Sequence, residues 1–257
     1  MVGCPRWLGF RSCAASATLP VSWLFFAVPF AASAQSLAEP LPVVAIDVGH
    51  SHENPGATSA RGVPEFEFNA ALANVIRDSL SLRGTRVVSI GDDGTMVNLR
   101  MRTTAAAEGG ATFFLSIHHD AAQPQYLRRW VWQGVEREYG DQFSGFSLFV
   151  SRNNPQLEAS LRCASAIGAA LQEQGLHPTP HHAEPIQGEN REWADQDNGV
   201  YYYDDLVVLK TATMPAVLLE AGVIVNREEE QAVQQPETRS AISAAVERGL
   251  TACEAIN

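Results

Sequence analysis

Three apolar runs in this sequence each end in groups able to carry charge or bind a metal: Ile46-Asp47-Val48-Gly49-His50, Leu115-Ser116-Ile117-His118 and Val217-Leu218-Leu219-Glu220. Two imidazoles with one or two carboxylates form the donor set of a zinc site. Catalytic zinc commonly takes three protein ligands, a His2Glu set among them, and keeps a fourth position for water. The plain alternative for any single strand-end histidine is a hydrogen-bonded structural residue.

Groups this far apart in the chain meet only if the elements carrying them converge. Residues 42–49 form a short β-branched run ending in glycine, the pattern of a buried strand. Apolar positions Leu72, Val75, Ile76 and Leu80 recur at helical spacing over 68–82, and Gly84 supplies a stop. Further strands are expected over 86–90, 111–117, 146–151, 200–209 and 215–222, and helices over 98–108, 156–174 and 237–254. Residues 122–144 have no clear period, and their aromatics (Trp130, Trp132, Tyr139, Phe143) read as core or lid packing. Residues 175–198 are polar and aperiodic, the pattern of a long loop. Alternation of strands and helices predicts an α/β fold, a single domain with a mainly parallel twisted sheet flanked by helices. Ligands of such sheets bind outside the carboxyl ends of the strands, where His50, His118 and Glu220 would lie.

The chain of 257 residues is long enough for one domain with a substantial core. Residues 1–34 read as an export signal peptide, leaving 35–257 as the catalytic domain. Arg6 and Arg11 precede an apolar run over 19–32, no acidic residue occurs before Glu39, and Ala32-Ser33-Ala34 has the small-x-small form of a cleavage site. The run is too short and too broken by proline for stable membrane insertion. Loss of two arginines and no acid takes the formal charge from -11 to about -13. Such a surface argues against nucleic acid as a partner. Of four cysteines, Cys163 and Cys253 lie beyond the signal; in an exported chain they permit a disulfide, with two separate buried thiols as the alternative.

Four local spellings sharpen the reading. Asp47-Val48-Gly49-His50-Ser51-His52-Glu53-Asn54-Pro55-Gly56-Ala57 resembles the D-x-G-H-G-G-x-x-P-G-A opening of the zinc-dependent N-acetylmuramoyl-L-alanine amidases of the cell-wall hydrolase class. Glu65-Phe66-Glu67-Phe68-Asn69 is similar to that family's ligand glutamate with an asparagine four residues on. Ser116-Ile117-His118-His119-Asp120-Ala121 resembles its S-I-H-x-N-A block, and residues 215–222 followed by Asn226 resemble the block around its catalytic glutamate. The blocks come in family order and span 43–226. The resemblance implies one Zn2+ per chain on His50, Glu65 and His118, with Glu220 as general acid/base. The expected reaction is hydrolysis of the amide between the lactyl group of N-acetylmuramic acid and L-alanine of the peptidoglycan stem peptide. The departures are Ser51 and His52 for two glycines, Asp120 for asparagine and Val223 for phenylalanine.

Several neighbours compete for roles. Glu67 is the rival of Glu65, although the spacing to Asn69 favours Glu65. His119 should face away from His118 by strand alternation. His52 is a candidate substrate contact, Arg61 either meets a stem-peptide carboxylate or is ordinary surface, and Asp47 is expected to orient a ligand histidine. His177, His181 and His182 with Glu184 and Glu189 suggest a second metal site, but a polar solvated loop is the preferred reading. The same loop is a candidate lid, whose deletion over 176–195 would raise activity. The expected partner is peptidoglycan or a muropeptide, with a protein activator left open, and the expected location is periplasmic. Two alternatives remain: a zinc peptidase acting elsewhere in the stem peptide, and a catalytically silent wall-binding regulator.

Overall fold

The computed structural model of the protein describes Gly9 and residues 41–257; apart from Gly9, the expected signal peptide lies outside the described residues. A seven-stranded sheet forms the middle layer, in the order β2-β1-β3-β9-β6-β8-β7. These strands are β1 (Val43–Val48), β2 (Arg86–Ile90), β3 (Phe113–Asp120), β6 (Ser147–Val150), β7 (Trp193–Asp195), β8 (Val200–Tyr202) and β9 (Ala216–Val223). The pairs β1–β2, β1–β3, β3–β9 and β6–β8 are parallel, and only β6–β9 and β7–β8 are antiparallel. The sheet is thus mixed but mostly parallel, as the alternation of strands and helices predicts.

Strand β1 is buried at all six positions instead of alternating, because both faces of the sheet are covered. Val44, Ile46 and Val48 meet α1 (Glu65–Leu82), α3 (Leu157–Glu173) and α6 (Pro236–Ala252) through Leu72, Ile76, Ile167 and Val246. Ala45, Phe114 and Leu218 point the other way, towards α2 (Leu99–Glu108) and α4 (Val207–Thr211). Cys163 in α3 is disulfide-bonded to Cys253 at the end of α6, with 5.0 Å between their Cα atoms. Among the described residues no helix is long and apolar enough to cross a membrane.

The structure corrects four expectations. Residues 122–144 contain a separate hairpin of β4 (Arg128–Trp132) and β5 (Val135–Tyr139). Its turn is Gln133-Gly134 with φ of 49° and 79°, the left-handed pair a two-residue hairpin requires. The strand expected over 200–209 stops at Tyr202, and α4 follows; its short apolar run fits either element by periodicity, and packing of Val208 and Leu209 beneath the sheet selects the helix. Strand β3 runs on to Asp120, three residues past the expected end.

The fourth correction concerns 175–198, which is not a solvated loop. Thr179, His181 and His182 are buried, Pro178 bridges to Phe146, and β7 adds an edge strand to the sheet. Deleting 176–195 would remove part of the sheet, so that deletion is no test of a lid.

Candidate metal centre

The parallel register of β1, β3 and β9 puts Asp47, Ser116 and Leu218 side by side, and two residues further along pairs His118 with Glu220. Residues two apart on a strand share a face, so both groups emerge at the carboxyl end of the sheet. His50 follows β1 with φ 70°, a left-handed conformation that turns the chain beside β3. Glu65 begins α1, and its two carboxylate oxygens divide between the imidazoles. Oε2 lies 3.0 Å from His50 Nε2, and Oε1 lies 3.0 Å from His118 Nδ1. One ligand atom from each of the three residues lies within 4.8 Å of the others.

The surroundings hold this triad tightly. Glu65 Oε2 accepts from the Ala57 backbone N–H, and Oε1 accepts from Asn69 Nδ2. Asn69 also donates to the Gly49 carbonyl and meets His119 Nδ1 at 2.8 Å. Glycine is needed at two points: a Cβ on Gly49 would fall 2.3 Å from His118 Nε2, and one on Gly56 2.4 Å from Glu65 Oε2. Burial pushes the Glu65 carboxyl up, but hydrogen bonds and charge from His118 and His50 outweigh it and hold it well below the usual range. An ionised carboxylate between two imidazoles fits a divalent cation. A cleft of about 220 Å³ opens beside it, with His50 and His118 against an apolar wall of Met96, Leu99 and Val207.

Glu220 behaves oppositely. Its Oε2 is buried without a hydrogen-bond partner among the described residues. Burial, with the negative charges of Asp120 and Glu65, keeps this carboxyl well above its ordinary pKa. One site therefore combines a carboxylate whose pKa is held low with one whose pKa is raised, and the raised one gains the basicity that a group moving a proton needs.

The neighbours fall into place around these four residues. Glu67 is exposed, one position along α1 from the buried face. His119 is buried against Asn69, and desolvation lowers its pKa to about 4. His52 turns away onto Phe66, with ring centroids 4.7 Å apart. Ser51 is buried and accepts from the Asn54 backbone N–H. Arg61 is not free surface: it pairs with the buried Glu230 at 2.6 Å and lies over Trp132.

Asp47 orients no histidine directly. It accepts from Arg102 Nη1 at 2.7 Å and from Ser116 Oγ at 2.6 Å. Arg102 in turn donates to the backbone carbonyls of Val48, His50 and Met96, so the support runs through the backbone of the His50 turn. Nothing in the local sequence singles out Arg102 beyond its place on the helical face that carries Ala106.

Comparison with known proteins fits this arrangement. Residues 44–252 match the family model of N-acetylmuramoyl-L-alanine amidases, and the chain belongs to that family. It is 26% identical over 215 residues to the uncharacterized protein YqiI of Bacillus subtilis (strain 168), covering 83% of this chain and 86% of that one. The catalytic domain of CwlV, an N-acetylmuramoyl-L-alanine amidase from Bacillus (Paenibacillus) polymyxa var. colistinus, superposes with a TM-score of 0.62 at 24% identity. That match covers 82% of this chain and 97% of the domain. The CwlD amidase of Clostridioides difficile, solved in complex with the GerS lipoprotein, gives a TM-score of 0.63 at 18% identity, over 84% of this chain and 100% of CwlD. The protein is thus a member of the N-acetylmuramoyl-L-alanine amidase family, and it carries a candidate metal centre on His50, Glu65 and His118.

Proposed function

We propose that this protein is a zinc hydrolase that cleaves the amide between the lactyl carbonyl of N-acetylmuramic acid and the L-alanine nitrogen of the stem peptide. The observation that carries this reading is the convergence of His50, Glu65 and His118 on one point, with Glu220 beside them at the strand ends. His50 Nε2, His118 Nδ1 and the Glu65 carboxylate would hold the ion. When bound, zinc polarises an amide carbonyl and acidifies a water molecule. Glu220 takes the proton of the attacking water as its oxygen bonds to the lactyl carbon. The carbon–nitrogen bond then breaks, and Glu220 returns that proton to the departing L-alanine nitrogen. The products are a lactyl carboxylate and a stem peptide with a free L-alanine amino terminus.

Export to the periplasm is part of the proposal. It is supported by the pattern of residues 1–34 and by the Cys163–Cys253 disulfide, since such bonds persist in oxidising compartments. A protein partner is also proposed, by analogy with the CwlD–GerS complex.

The test is zinc content together with the amino termini released from peptidoglycan, for wild type and Glu220→Gln. Zinc in both proteins, with L-alanine termini released by wild type alone, is the expected result. Release of other stem-peptide termini would make the enzyme a peptidase, and a wild type without zinc after reconstitution would overturn the ligand set.

A further inference from the structure

A second convergence of metal-ligating side chains lies outside the triad. Asp120 ends β3, and the 3-10 turn at His181–Ala183 brings two histidines to it from more than sixty residues away. Asp120 Oδ2 is 3.2 Å from His181 Nε2 and 2.7 Å from His182 Nε2, and the three donor atoms lie within 4.8 Å of one another. The two histidines are buried, at 1% and 7% exposure.

We propose that Asp120, His181 and His182 form a second divalent-metal site, separate from the His50–Glu65–His118 triad, whose ion fastens the 175–192 segment to the end of β3.

Three observations support it. First, His181 Nε2 makes no hydrogen bond among the described residues despite its short distance to Asp120. A buried imidazole nitrogen without a partner is costly, and an ion set among the three donors would satisfy it. Second, both far nitrogens are already engaged. His181 Nδ1 meets Thr179 Oγ1 at 2.8 Å, and His182 Nδ1 meets Glu189 Oε2 at 2.8 Å. Metal-ligating histidines characteristically donate the other ring N–H to a carboxylate or similar acceptor, which fixes the tautomer that presents Nε2 as a lone pair. Third, the spacing is close to what an ion needs. Donors about 2.1 Å from a tetrahedral ion stand roughly 3.4 Å apart, so the 3.2 Å contact to His181 already fits and the 2.7 Å contact to His182 has to open by about 0.7 Å.

Two imidazoles and a carboxylate suit a borderline transition-metal ion such as Zn2+ better than Mg2+ or Ca2+, which prefer all-oxygen shells. A proton is the competing occupant. Burial pulls the His182 pKa down, but Asp120 and Glu189 outweigh it and push it up to about 9.

The Asp120 carboxylate supplies the charge. An asparagine oxygen could still approach the histidines, but it would not balance a dication buried between two neutral rings.

The experiment is metal stoichiometry of the full chain after chelation and re-addition of Zn2+, with wild type, His118→Ala and His181→Ala compared. Two ions in wild type and one in each variant is the expected result. One ion in wild type, lost with His118→Ala and kept with His181→Ala, overturns this inference while leaving the catalytic centre standing. One ion in wild type, kept with His118→Ala and lost with His181→Ala, removes the triad and leaves the second site. Two ions retained in His181→Ala would place the second ion elsewhere and refute the assignment. Should His181→Ala fail to fold, anomalous scattering from Zn2+-soaked wild-type crystals decides: a peak among Asp120, His181 and His182 supports the site, and none there refutes it.

Discussion

Arg102→Met perturbs the site from behind, away from the proposed metal ligands. Arg102 and Asp47 are each 1% exposed, and the guanidinium satisfies Asp47 and three backbone carbonyls. Methionine has a similar length and no charge, so it fills much of the space while leaving Asp47 buried with Ser116 as its remaining side-chain donor. Breaking a buried pair by removing one partner costs about 3–5 kcal/mol, a large share of the roughly 5–15 kcal/mol that holds a domain together. Urea unfolding with a chelator present, so that metal binding does not contribute, should show a loss of that size. Adding Asp47→Asn removes the stranded charge, so the two changes should couple by roughly 1–3 kcal/mol in a double-mutant cycle. The same arginine anchors the His50 carbonyl at φ 70°, so zinc affinity of folded Arg102→Met should fall by about 10–100-fold. A stability loss below about 1 kcal/mol, or additive behaviour in the cycle, would refute the buried pair as the support of the site.

Three further predictions follow from other parts of the molecule. Gly49→Ala places a Cβ 2.3 Å from His118 Nε2; zinc content should collapse while circular dichroism stays that of the folded chain. Replacing both Cys163 and Cys253 with serine opens a loop of 90 residues and should cost about 2–5 kcal/mol, read as a lower Tm that reductant no longer changes. Burial pushes the Glu229 carboxyl up to about 7 from 4.5, against the backbone N–H donors of Val223 and Gly145. The folded state therefore binds the extra proton between those values. Its contribution is complete below 4.5 and is lost as pH rises through about 7, a swing on the order of 3 kcal/mol that Glu229→Gln should abolish in unfolding titrations.

The sequence by itself determined the core strands and the ionisable residues they carry. Apolar runs leading into Asp47-Val48-Gly49-His50, His118 and Glu220 are legible because burial on both faces leaves a continuous hydrophobic signature against which an ionisable residue stands out, although β3 runs on to Asp120 and β9 to Val223. Glu65 was legible through its spacing to Asn69, a pair that the helix brings to 3.0 Å.

Only the tertiary structure decided the rest, because the deciding contacts join residues that no local period connects. Arg102 and Asp47 are 55 positions apart, and neither carries a mark that names the other. His182 and Asp120 are 62 apart, and the polar stretch around His181 and His182 has the composition of a solvated loop until the Phe146–Pro178 bridge and strand β7 draw it against the sheet. Local sequence records which side chains prefer burial. Which buried polar groups satisfy one another is settled by packing across the sheet, where a charge is tolerated only beside the partner that the fold delivers.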